Sequence, residues 1–167
     1  EYMPDIMNRT KRIEIDGRRP VEYVYSGSRL IERRAGDGII TKWEYELAIC
    51  ACYYNNRISK VLHYRPDGTT MIRGFAYGFD GSGLPLYQAN LHDATDTSTM
   101  AQMIATAPGD TWVYDNMGRL ETEYRVMTNV SQNYETPDSG SYNVKVNYTL
   151  DGVGNREKVE FYNSSKL

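Results

Sequence analysis

Apolar and polar side chains alternate over short runs along most of this chain. Clusters of Gly, Asp, Asn and Ser separate the runs, which predicts strands joined by tight turns. The longest run is 39–53. By period two, Trp43, Tyr45, Leu47, Ile49, Ala51 and Tyr53 share one face, and Lys42, Glu44, Glu46, Ala48, Cys50 and Cys52 share the other. The Asp16-Gly17 pair between the runs 12–15 and 20–25 is a strong hairpin signal. Pro66-Asp67-Gly68 turns 57–65 into 70–79 in the same way. The alternation dissolves over 88–110 and again over 129–141, which read as insertions. In the first, Ser98 is placed to cap a short helix carrying Met100, Met103 and Ile104 at helical spacing. Residues 1–10 show no period and read as an arm or the tail of a preceding strand.

One strand-turn-strand pattern recurs. Tyr114-Asp115-Asn116-Met117-Gly118-Arg119-Leu120 has relatives in Leu150-Asp151-Gly152-Val153-Gly154-Asn155-Arg156 and Phe79-Asp80-Gly81-Ser82-Gly83-Leu84. Shorter copies are Tyr25-Ser26-Gly27-Ser28-Arg29-Leu30 and Tyr53-Tyr54-Asn55-Asn56-Arg57-Ile58. Aligned on Ser28, Asn56, Gly83, Gly118 and Gly154, they recur every 27 to 36 residues, a repeat-architecture period. Asp115 and Asp151 have short side chains that suit turns, Gly118 and Gly154 permit them, and Arg119 and Arg156 are expected to lie over Tyr rings of neighbouring strands.

Those motifs, at 114–120 and 150–156 above all, resemble the YD repeats of the rearrangement-hotspot (RHS) family. The resemblance covers roughly 21–163 and implies a long β-sheet winding as a spiral strip. The family occurs in bacterial RHS proteins, toxin-complex shells and teneurins, where the strip often closes around a toxic cargo. Its self-cleaving Asp-Pro-x-Gly signature is absent from this sequence. The expected fold is all-β: an antiparallel meander of about eleven strands forming a curled sheet or spiral strip, with an arm at 1–10, a sheet domain at 11–167 and two insertions. Because a meander turns at alternate rims, the repeat turns fall on one rim and 88–110 and 129–141 on the other, two strands apart.

Composition narrows the function. The chain of 167 residues carries 19 basic and 22 acidic side chains, a net charge of −3, with no footprint for nucleic acid or anionic membrane. No apolar run is long enough to cross a bilayer, and the start at Glu1 reads as a mature or excised fragment. Tyrosine dominates the aromatics, 15 against 3 Phe and 2 Trp, as suits half-buried strands. Cys50 and Cys52, on one strand face, read as small buried residues. With His63 or His92 they do not make four metal ligands at a recognised spacing. Asp80-Gly81-Ser82-Gly83 and Asp93-Ala94-Thr95-Asp96 lack the ligand pattern of a calcium loop. No nucleophile, acid and base converge, so no catalytic, metal or cofactor site is expected. Tyr114, Asp115, Gly118, Arg119, Asp80, Gly83, Asp151, Gly154 and Arg156 are read as structural repeat residues. The expected role is a wall segment of an extracellular or cell-surface shell, tube or fibre, secreted by a bacterium. Its partners would be further copies or flanking repeats of the same polypeptide, paired through open sheet edges. The alternatives are a glycan-binding or partner-binding adhesion module and a fragment of an RHS toxin-delivery shell.

Overall fold

The computed structural model describes residues 1–46, 56–92 and 99–163. Twelve antiparallel strands hydrogen-bond in chain order. The chain divides into two compact units whose boundary falls inside the seventh strand.

The first unit holds β1 (Tyr2–Pro4), β2 (Thr10–Ile13), β3 (Val21–Ser26), β4 (Arg29–Arg34), β5 (Ile40–Tyr45) and β6 (Ile58–Tyr64), with the start of β7 (Met71–Phe79). Its interior is built on Ile40, Leu62 and Met71, all under a tenth exposed. β1 lies in the segment expected as an arm. Met3 pairs with Arg12 of β2, so residues 1–10 are a strand and a turn. β5 ends at Tyr45, and 47–53 of the long run, with Cys50 and Cys52, lie outside the described residues.

The second unit holds the end of β7, then β8 (Pro85–His92, to Leu91), β9 (Gly109–Tyr114), β10 (Leu120–Met127), β11 (Val144–Leu150) and β12 (Arg156–Asn163). The strands are longer than the pattern predicted, so 88–92 and 109–110 of the first insertion are strand. The described part of what remains holds α1 (Met100–Thr106), and the second insertion forms α2 (Val130–Asn133) and a 3-10 turn at Pro137–Ser139. The helix is capped by Thr99, not Ser98. Its hydroxyl accepts from the Gln102 amide while the Gln102 side chain accepts from Thr99, a reciprocal box that satisfies two orphan groups.

The two insertions meet. The Val130 amide donates to Ala107 O at 3.1 Å and Ser131 Oγ donates to Ile104 O at 2.9 Å. Val130 and Met127 are fully buried beneath them. Gly109 is required there, because a Cβ would sit 1.9 Å from Gln88 O and 2.8 Å from Val130 Cγ1.

Candidate functional site

The repeat turns at 80–84, 115–119 and 151–155 are closed by their own aspartates. In the 115–119 turn, Asp115 Oδ1 accepts from the amides of Met117 and Arg119, both at 2.9 Å, and Oδ2 accepts from Arg119 Nε at 2.7 Å. Gly118 sits at φ +75°, the left-handed position after a tight turn that a side chain would strain. Asp151 repeats the clip, accepting from Val153 and Asn155 amides and from Asn155 Nδ2. The side chain at the closing position is thus Asn155, one residue before the Arg156 of the expected motif. Asp80 accepts from the Leu84 amide at 2.8 Å, with Gly83 at φ +95°.

A further copy escaped the sequence reading. Asp5 accepts from the Met7 and Arg9 amides and from Arg9 Nε, with Asn8 at φ 58° in the glycine position. Pro4 and Asn8 stand where the recognised motif has Tyr and Gly, which hid it; the surviving signal was the Asp-to-Arg spacing of four. These bonds hold the carboxyls below the usual carboxylate range. The leading cause is the Arg9 side chain for Asp5, the Arg119 amide for Asp115 and the Asn155 side chain for Asp151.

The turns are also tied one to the next. Tyr25, Tyr45 and Tyr114 hydroxyls donate to the carbonyls of Thr10, Leu30 and Pro85, at 2.8 to 2.9 Å. Each acceptor follows the last residue of the preceding repeat turn: Arg9, Arg29 or Leu84. Arg9 lies 4.3 Å over the Tyr25 ring and donates to Gly27 O. Arg29 lies 5.0 Å over Tyr45 and donates to Asn56 Oδ1. Arg119 has Leu150 where a tyrosine would stand, and reaches the Asp151 carbonyl at 3.1 Å instead of a ring. Arg156 does cover an aromatic face, 4.5 Å from the Tyr148 centroid. Tyr25, Tyr45, Arg9 and Asn155 are therefore working repeat residues beyond the expected set.

The second unit carries an open groove of about 860 Å³. It reaches from the repeat turns, at Asp80 and Asp115, to the second insertion at Tyr134 and Asp138. Thr122, Tyr124 and Lys145 lie between. Asp138 accepts from Tyr124 Oη at 2.8 Å and Lys145 Nζ at 2.7 Å, pinning the insertion to the sheet. Partial burial pulls the Lys145 pKa down, but its hydrogen bonds to Asp138 and Tyr124 outweigh that and raise it. The Lys145 and Tyr124 hydrogen bonds hold Asp138 below its usual range. Tyr134 stacks at 5.1 Å on Tyr87.

Among the described residues, no group of three or more His, Cys, Asp or Glu is placed to hold a metal. His63 Nδ1 lies 3.1 Å from Thr41 Oγ1 across β5 and β6, and His92 is exposed at the end of β8. No helix among the described residues is long and apolar enough to cross a membrane.

No family model matches the chain, and no curated protein matches it. Solved structures do. It is similar to the crystal structures of TcdB2-TccC3-TEV and of TcdB2-TccC3, each at 17% identity and TM-score 0.68. It is similar also to the Tc holotoxin pore of Photorhabdus luminescens with a mutated TccC3, at 18% identity and TM-score 0.68. Each match covers 99% of this chain and 8% of the other. The likeness defines the fold, an RHS-type YD-repeat sheet.

Proposed function

We propose that this chain is a wall segment of an RHS-type shell, outside the cell or at its surface, with a structural and non-catalytic role. The observation that supports it best is the set of ties between repeat turns. The tyrosine hydroxyls and arginines of the motif bond to the neighbouring turn, which suits a strip that extends by adding repeats. The partners of such a segment are flanking repeats of the same polypeptide, or further copies meeting its terminal strands. The similar chains are much longer, and Tc assemblies are their setting, which favours a piece of a toxin-delivery shell over a free-standing fibre.

Electron microscopy of the polypeptide from the complete reading frame tests the reading. A hollow particle with this segment in its wall is the expected result. A solid particle without a lumen overturns it. Electron microscopy of the 167-residue chain beside its molar mass by light scattering adds the second measurement: regular tubes or filaments would move the role to a self-assembling fibre.

A second reading, an adhesion module for glycans or a protein partner, draws on the two insertions meeting at one rim. Glycan-array binding that disappears when residues 93–108 are shortened would favour it.

A further inference from the structure

We infer that the groove of the second unit is a docking site for an extended, basic peptide segment. Its charge is one-sided. Asp80, Asp115, Glu121, Glu135 and Asp138 line it; Asp115 is paired with Arg119 and Asp138 with Lys145, so Glu121 and Glu135 carry the surplus negative charge. Lys145 is already engaged by Asp138. Glu121 and Glu135 are exposed and have no cationic partner among the described residues. The carboxylates are spread along the groove, two at the repeat turns, Glu121 at the start of β10 and two on the second insertion, which suits a row of cations and not one ion.

Shape agrees with charge. β9 crosses the sheet in six residues, about 20 Å at roughly 3.3 Å per residue, the length of an extended peptide of similar size. Tyr134, half-buried and held against Tyr87, offers a ring beside the Glu135 carboxylate, where an arginine or lysine head would find both a π-face and a counter-charge. A neutral oligosaccharide would gain from the rings but nothing from the surplus carboxylates. Charge complementarity therefore selects the peptide.

The test is fluorescence anisotropy on the purified 167-residue chain with a labelled, alternating Arg-Ser octapeptide at low salt. Saturable binding is expected, weakening by about fivefold in the Glu121→Gln, Glu135→Gln double variant. An Asp16→Asn, Glu157→Gln double variant removes the same charge at residues that do not line the groove and is expected to bind as the parent does. All four side chains are exposed, so both variants are expected to fold, which thermal melts check. Equal loss in the two double variants would reduce the effect to net charge and overturn the site. Absence of saturable binding would do so too, as would binding of a neutral tetrasaccharide in place of the peptide. The wall reading stands or falls by imaging, so the two failures are distinguishable.

Discussion

Val126 takes φ +52° inside β10, a left-handed conformation that a β-branched side chain resists. The cause lies in its neighbours. Tyr124 and Met127 are both buried, three positions apart, a spacing that a regular strand would send to opposite faces. The register therefore shifts between them, and Asp110 Oδ1 accepts the displaced Val126 amide at 3.0 Å. Val126 is half exposed, so Val126→Asn should relieve the backbone without disturbing packing and raise stability by about 1 kcal/mol, measured by urea unfolding. The opposite outcome is expected at the repeat turn. Tyr114→Ala and Gly118→Leu should each lower stability by about 2 to 4 kcal/mol, one through lost packing and its hydroxyl bond to Pro85, the other through a forced turn. Melts unchanged in both would remove the turn from its organising role. The turn aspartates set a pH dependence whose sign follows from their lowered pKa values. Unfolding returns each carboxyl to its ordinary value, so their contribution is complete above about pH 4 and is lost as pH falls through the folded-state values. Acid titration of stability should show a shallower decline in Asp115→Asn than in the parent.

At the scale of elements, what was legible in the sequence is what local chemistry decides. Asp115 and Gly118 are separated by a fixed turn geometry, and Asp16-Gly17 closes a hairpin whose strands β2 and β3 pair as expected. The missed elements depend on partners distant in sequence, on substitutions within a motif, or on which of two adjacent hydroxyls finds a reciprocal partner. Thr99 outcompetes Ser98 as cap because Gln102 stands three residues after it, completing the reciprocal box. β1 is too short to show a period, and its turn carries Asn8 in place of glycine. The groove was not readable at all, since Asp138 meets Tyr124 and Lys145 only after the second insertion folds back. That contact should govern the mobility of the insertion. In Asp138→Ala, amide hydrogen exchange is expected to speed up across 134–143 while β10 and β11 keep their protection. Uniform acceleration through both strands would instead assign Asp138 to the stability of the whole unit.

At the scale of the molecule, the strand order is the chain order from β1 to β12. Each strand finds its hydrogen-bonding neighbour in the next stretch of chain, and among the described pairings the widest gaps are those left by the two insertions. A β-protein usually folds slowly because its strands must find partners across long intervals of sequence, and loop closure has to precede any reward. Here that delay is largely removed. Pairing between consecutive strands lets hairpin after hairpin zip up as the polypeptide emerges from a ribosome, each new strand templated by the one just laid down. The aspartate clips at Asp5, Asp115 and Asp151 then act as latches, holding a completed hairpin in register while the next is still being delivered. A sheet made this way can be built in one direction without waiting for its far end.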